Sequence, residues 1–303
     1  MKKELKELEK KFGGKIIFNE TLSKYSWFNL GGPANILFKP DTEDQIINFL
    51  NLMKDDYKII CIGAGSNTLV RDGGFDGVVI KLSPKFSYIK NINSNLLEVG
   101  ASTLDRRLSS YAAENEIAGF EFLSCIPGSI GGAIIMNSGC YGDEISNILS
   151  SIKAIDLKGK IIEIQKDDIK FYYRETSLPK NLIIISANFE IKKGNKNMIY
   201  EKMNKYFQQK KESQPTQVKT CGSTFKNPKE KKAWELIKNS NCSDASFGKA
   251  KISSKHNNFF INEGGASSAD IEKLINHVKR KVFEQQNIKL ELEIKIIGNN
   301  ISQ

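Results

Sequence analysis

Apolar residues recur along this chain with two periods, 3.6 and 2, and the switches between them mark its elements. The first stretch, Met1-Lys-Lys-Glu-Leu-Lys-Glu-Leu-Glu-Lys-Lys11, is charged and helical in character. Thr42-x-x-Gln45 stands ahead of Ile46, Ile47, Phe49, Leu50 and Met53, which predicts a capping box opening a helix. Lys58-Ile-Ile-Cys-Ile62, Val78-Val-Ile-Lys-Leu82 and Leu96-Leu-Glu-Val99 read as strands, and residues 103–115 as a helix. Residues 151–164 and 182–191 are again β-formers, with a hairpin turn at Lys158-Gly159. A lysine-rich, helix-prone connector follows over 193–220. Beyond it the pattern predicts a helix near 230–240, strands near 250–253 and 258–262, and a strong helix from Asp270. There Ile271, Leu274, Ile275, Val278, Val282 and Phe283 form one stripe. The chain closes on a strict alternation: Ile288, Leu290, Leu292, Ile294 and Ile296 face one way, Lys289, Glu291, Glu293 and Lys295 the other. This succession predicts α+β layers rather than a doubly wound parallel sheet.

Two glycine-rich loops interrupt the pattern. Residues 124–142 contain Pro127, Gly128, Gly131, Gly132, Gly139 and Gly142, and residues 61–74 contain Gly63, Gly65, Gly73 and Gly74. Glycine lets backbone N–H groups approach an oxyanion closely and take positive φ. The pair therefore reads either as two grips on one extended, phosphate-bearing ligand or as two tight turns. The Gly-x-Gly of the earlier loop has no clear helix directly behind it and no well-placed acid further on, which argues against a Rossmann fingerprint.

Composition narrows the class. The 303 residues are 40% hydrophobic and 26% charged, as in a globular protein with room for one large or two smaller domains. No apolar run reaches the ~20 residues of a membrane span, and the N-terminus lacks the apolar stretch of a signal peptide. Cys61, Cys125, Cys140, Cys221 and Cys242 show no metal spacing and read as free thiols in a reducing compartment. Two histidines, His256 and His277, exclude a multi-histidine metal site. The net charge of +10 comes mainly from scattered lysines. It suits anionic ligands, and no block of interleaved basic and aromatic residues marks a nucleic-acid surface.

Arg174 is one of five arginines in a lysine-rich chain, with Arg71, Arg106, Arg107 and Arg280, and reads either as a surface arginine on a loop or as a residue needed for its planar fork. Ser223, between glycine and bulkier residues and just ahead of Lys226 and Asn227, reads as a phosphate contact, a proton donor or a capped turn. With no nucleophile elbow and neither histidine nearby in sequence, a Ser-His hydrolase is disfavoured. Glu293 reads by itself as part of a salt-bridged strand face.

Six motifs stand in order: Phe28-Asn-Leu-Gly-Gly-Pro-Ala34, Gly63-Ala-Gly-Ser-Asn67, Ile126-Pro-Gly-Ser-Ile-Gly-Gly-Ala133 with Met136-Asn137, Tyr172-Tyr-Arg-Glu-Thr-Ser177, Cys221-Gly-Ser-Thr-Phe-Lys-Asn-Pro228 and Leu290-Glu-Leu-Glu-Ile294. From about residue 20 to Gly298 this resembles the MurB family, the UDP-N-acetylenolpyruvoylglucosamine reductases of bacterial cell-wall synthesis. The resemblance implies an α+β fold with an FAD-binding domain of the PCMH/vanillyl-alcohol-oxidase type and a C-terminal α+β substrate domain. It implies FAD held non-covalently by Gly63, Gly65, Ser66, Asn67, Pro127, Gly128, Ser129, Gly131 and Gly132, with NADPH as co-substrate and a UDP-sugar as substrate. Arg174 then polarises the substrate carboxylate, Ser223 is the general acid, Glu293 stabilises the enol-like state, Asn227 meets the diphosphate, and Lys226 is its neighbour.

The family's terminal motif is typically Leu-Glu-Pro-Glu. Leu292 stands at the proline position, and Glu291 is the alternative glutamate if the register slips by one pleat. His256 reads as structural or as a support behind the reacting residues. The expected division is an N-terminal helical segment over 1–20, an FAD-binding region over 21–193 in two lobes split near residue 80, and a substrate domain over 194–303. The spacing after Arg174 points to the shorter of the family's two types. A cytoplasmic monomer without metal, membrane or nucleic-acid partner is expected. The rival readings are another FAD-dependent oxidoreductase of the same fold and a basic nucleic-acid-binding protein.

Overall fold

A computed structural model describes residues 2–53 and 57–301. The chain forms two compact units, each assembled from separated stretches. One comprises Met1–Phe18, Ile36–Ala64 and Gly77–Gln209, the other Asn19–Asn35, Gly65–Asp76 and Lys210–Gln303. This differs from the contiguous division at residue 194. Burial decides it: Phe28, Leu30 and Leu69, from the two early stretches, sit in the apolar core of the second unit. Local composition carries no trace of that.

In the first unit an antiparallel sheet has the strand order Ile161–Gln165, Leu149–Ile155, Ile183–Glu190, Leu96–Gly100, Ile89–Asn93. The central strand is apolar and buried for most of its length, whereas the edge strand Ile161–Gln165 alternates between exposed and half-buried positions. The hairpin turn falls where expected. Asp156 Oδ1 accepts from Lys158 N and Lys160 N at 2.9 Å, and Gly159 supplies φ 78°. A second sheet has the strand order Lys15–Thr21, Pro33–Lys39, Phe75–Ile80, Ile59–Cys61, with Ile59–Cys61 parallel to Phe75–Ile80. The α+β expectation therefore holds, with antiparallel ladders beside short parallel pairs.

Helix α1 (Lys2–Phe12) buries Leu5 and Leu8 in a core shared with Ile46, Phe49, Leu50 and Met53 of α2 (Glu43–Met53). Phe38 and Phe49 stack at 4.1 Å between centroids, worth roughly 0.5–1.5 kcal/mol beyond area burial. The predicted capping box is half made. Thr42 Oγ1 accepts from Gln45 N at 3.3 Å, but Gln45 Oε1 accepts from Asp41 N, one residue early. Helix α3 (Asp105–Glu114), the short α4 (Ile130–Ile135) and α5 (Lys196–Ser213) complete the helices that begin in this unit. On α5 the ring of Tyr206 stacks on Tyr141 at 4.5 Å, and Lys202 bridges Glu121 and Asp143.

The second unit packs α6 (Ala233–Asn239) and α7 (Ser268–Gln286) with an antiparallel sheet of Ser246–Phe247, Ala250–Ile252 and Phe260–Asn262. Ser267 and Asp270 form a full capping box at the start of α7. Asp72 adds a second cap, its carboxylate accepting from Ser268 N and Ala269 N. Ile271, Leu274, Ile275, Val278 and Val282 are buried, as the stripe predicts, but Phe283 is exposed. It lies roughly 120° around the helix axis from Ile271, off the stripe. The long terminal strand is not formed. Only Lys295–Ile297 is a strand, pairing in parallel with Thr68–Val70, because residues 290–294 face irregular chain.

Candidate functional site

The earlier glycine loop offers donors without acceptors. Its carbonyls at Gly63, Gly65 and Asn67 are taken by Lys81 Nζ (2.7 Å), Trp27 N (3.1 Å) and Lys295 N (2.9 Å). Among the described residues, none of the backbone N–H groups of Gly63, Ala64, Gly65, Ser66 and Asn67 donates to a protein acceptor. Successive unpaired N–H groups suit a diphosphate. Gly65 holds φ 72°, and a Cβ there would overlap the Tyr25 carbonyl oxygen. Asn67, read from the sequence as a cofactor contact, directs Nδ2 onto Glu293 O at 3.1 Å.

In the first unit Gly63 meets the later loop. A Cβ on Gly63 would come within 2.6 Å of Ser129 Oγ. Pro127 and Gly128 lead into Ser129, which precedes α4, and Gly131 and Gly132 lie in its first turn. Packing does not demand Gly132, where a Cβ would find its nearest neighbour at 3.8 Å, whereas on Gly131 it would crowd Ala101 Cβ at 3.2 Å. A glycine at 132 that the fold itself does not need leaves room beside the N–H of Gly63 for a bound group. Each loop by itself thus suits part of the FAD that the sequence resemblance implies.

Gly128 is different, because a Cβ there would overlap Asp105 Oδ2. Asp105 is fully buried, and both its carboxylate oxygens, with Ser109 Oγ and Ser129 Oγ, lack hydrogen-bond partners among the described residues. Burial alone pushes Asp105 well above the usual carboxylate range. A raised folded-state value gives stability that is complete below the unfolded value near 3.9 and falls as pH rises toward the folded value, by about 1.4 kcal/mol per unit. Asp105→Asn, the neutral isostere, is expected to melt higher than wild type at pH 7–8, with the gap closing toward pH 4. A variant that melts lower at pH 7 would mean that the carboxylate is ionised and paired.

Arg174 sits at the tip of a hairpin between Phe171–Tyr172 and Glu175–Thr176, at φ 59°. Left-handed backbone at a non-glycine residue costs roughly 1–2 kcal/mol and is a mark of functional sites. The guanidinium stacks on the Tyr173 ring at 4.9 Å, and Nη2 donates to Gly139 O at 2.7 Å.

In the second unit the structure brings Ser223, Lys226 and Glu293 onto two adjoining segments. Glu293 N donates to Thr224 O and Lys226 N to Glu291 O, both at 2.9 Å, around the bridge of Phe225 with Leu292. Those bonds belong to the neighbours of Leu292, so its own N–H is not needed and leucine serves where the family has proline. Glu293 is half-buried here. Glu291 is exposed and forms a loose ion pair with Lys226 at 3.9 Å. Asn227 Oδ1 accepts from Ala233 N at the start of α6.

Behind these residues, Asn258 exchanges bonds with Phe225 N (2.9 Å) and Phe225 O (2.8 Å), and His256 Nδ1 accepts from Asn258 N. Burial lowers His256, so its imidazole is neutral at pH 7 and acts as an acceptor. Cys221 Sγ donates to Thr68 O at 3.3 Å, under the chain that leads out of the earlier glycine loop. Sequence reasoning missed Asn137, Asp105 and Lys81. The signal for Asn137 was in its motif, but its two bonds are made across distant segments.

Residues 34–165 match the model of the FAD binding domain. With the glycine cradle, this makes the chain a flavin-binding protein of the α+β type. Residues 214–297 match the model described as UDP-N-acetylenolpyruvoylglucosamine reductase, C-terminal domain. A relative named UDP-N-acetylenolpyruvoylglucosamine reductase from Pelagibacter ubique (strain HTCC1062) is 45% identical over 297 residues, 97% of this chain and 98% of the relative. One of the same name from Rickettsia massiliae (strain Mtu5) is 44% identical over 279 residues, 92% and 94% of the two chains. The crystal structure of UDP-N-acetylenolpyruvylglucosamine reductase (MurB) from Thermus caldophilus superposes with a TM-score of 0.81 at 29% identity, covering 93% of this chain and 98% of that one. The chain belongs to the UDP-N-acetylenolpyruvoylglucosamine reductase family. Such mutual coverage leaves no room for a large insertion, in keeping with the shorter type.

Proposed function

We propose that this chain reduces UDP-N-acetylglucosamine enolpyruvate to UDP-N-acetylmuramate, using FAD and NADPH, in peptidoglycan precursor synthesis. The observation that carries the reading is the pairing of residues 223–226 with 291–293, which sets a hydroxyl, an ammonium and a carboxyl on adjoining backbone, in a chain of this family.

FAD is held by the donors of residues 63–67 and the glycines of 127–132. When bound, it supplies the hydride, taken from NADPH, that ends on the β-carbon of the enolpyruvyl ether. Negative charge then develops on the α-carbon and spreads into the carboxylate. Arg174 stabilises that charge with a fixed fork of donors, and Glu293 supports it through a shared hydrogen bond. Ser223 gives its proton to the α-carbon, completing the addition of hydride and proton across the double bond. Asn227 and Lys226 hold the diphosphate of the substrate. His256 stays neutral and braces Asn258. The reading carries with it a cytoplasmic monomer, supported by five free cysteines that suit a reducing compartment.

Anaerobic spectroscopy tests it. The purified protein is expected to be yellow, to bleach with NADPH and to recover its colour on addition of UDP-N-acetylglucosamine enolpyruvate. Recovery with oxygen but not with the enolpyruvyl substrate would indicate a different flavoenzyme, and a colourless protein that binds DNA in a salt-dependent manner would overturn the reading.

A further inference from the structure

The hairpin that presents Arg174 is built from strands of two residues each, far short of what holds a rigid geometry alone. Its tip is strained, with Arg174 at φ 59°. Something outside the hairpin must therefore fix it, and three side-chain bonds do so. Asn137 Nδ2 donates to Tyr172 O at 3.1 Å, Thr176 Oγ1 donates to Ile135 O at 3.3 Å, and Arg174 Nη2 donates to Gly139 O at 2.7 Å. All three partners lie within residues 135–139, at and just beyond the end of the glycine helix α4.

Asn137 is the most constrained of these residues. It is fully buried and adopts φ 39°. Its backbone N donates to Ile134 O at 3.0 Å and its Oδ1 accepts from Ser146 N at 3.1 Å. One short amide thus ties the end of α4, the turn Ile145–Asn147 and the arginine hairpin together. Only an asparagine-like group does this. It needs a donor at one end, an acceptor at the other and tolerance of left-handed backbone. Aspartate would set a carboxylate against the Tyr172 carbonyl, and glycine would supply the backbone but neither bond.

We infer that Asn137 is a positioning residue for the reduction: it holds the Arg174 hairpin in register with the flavin loop, so that the guanidinium is preset where charge develops. This rests on the role of Arg174 proposed above. Displacement of a catalytic group by about 1 Å costs up to a hundredfold in rate, while flavin binding and reduction by NADPH do not use the hairpin on this reading.

A double-mutant cycle on the holoenzyme, followed by stopped flow, decides it. Asn137→Ala is expected to keep its flavin and its reduction rate with NADPH. Reoxidation by saturating UDP-N-acetylglucosamine enolpyruvate should slow by about tenfold to a hundredfold. Arg174→Ala should be slower still, and Asn137→Ala should add no further loss in the Arg174→Ala background. Losses that multiply, or an equal slowing of both half-reactions, would overturn the positioning role and leave Asn137 a general support. Normal reoxidation in Asn137→Ala with a slow Arg174→Ala defeats the inference alone, whereas a normal rate in Arg174→Ala defeats the reading beneath it as well. If Asn137→Ala does not fold, Thr176→Val decides. It removes one tether at a half-buried site and should give the same pattern, smaller; an unchanged rate overturns the inference.

Discussion

Ser223→Ala is expected to bleach with NADPH at close to the wild-type rate and then to reoxidise with UDP-N-acetylglucosamine enolpyruvate about 10²–10⁴-fold more slowly. In barrier terms that is about 3–5 kcal/mol. The separation follows from the role proposed for Ser223, a proton donated at the α-carbon after the flavin has been reduced. The geometry makes the variant a clean probe. Ser223 pairs with Phe259 through an isolated backbone bridge, and its neighbour Thr224 is held by Asn258 O and by Glu293 N. None of these contacts uses the serine hydroxyl, so the segment should survive its removal. Stopped-flow absorbance of the two half-reactions is the measurement. Equal damage to both would show that Ser223 supports the site generally. Undisturbed reoxidation would move the proton to Glu293 or to a bound water.

Arg174→Lys keeps the charge and is nevertheless expected to slow turnover of the enolpyruvyl substrate by well over tenfold, at least ~1.4 kcal/mol. Arginine here stacks on Tyr173, gives Nη2 to Gly139 O and carries its charge on a planar fork of five N–H donors. A lysine ammonium has the charge but not the planar fork, and it cannot keep a backbone tether while presenting two parallel donors. Flavin content should not change, because the residues fitted to FAD lie on other segments. Steady-state turnover with substrate and NADPH both saturating, with flavin absorbance as the control, reads the effect. Turnover near wild type would remove Arg174 from the role of carboxylate partner.

Much of the molecule was legible because it is written locally. The stripe of α7, the β-hairpin at Asp156-Leu-Lys-Gly-Lys160 and the helix after Thr42 each depend on residues within a turn or two of one another, so periodicity and turn chemistry suffice. The order of six motifs likewise marks the candidate residues in the sequence itself. Phe283 lies off its stripe by helix geometry alone, whereas the strict alternation over 288–297 met tertiary context and became a strand of three residues.

By itself, then, the sequence determined the α+β class, most helices and strands, the glycine loops and the family, and it singled out Arg174, Ser223 and Glu293 as candidates. Tertiary structure alone decided which stretches share a core, since Phe28 and Leu69 are buried among residues more than a hundred positions away. It also decided what the polar side chains do. Asn67 turned to Glu293 O, the Asp105 carboxylate is buried without a hydrogen-bond partner among the described residues, and Asn137 became the tie between the end of the glycine helix α4 and the arginine hairpin. The physical reason is the same in each case. A hydrogen bond or a burial penalty depends on atoms brought together across distant segments, and nothing in the spacing of nearby residues records which segments will meet.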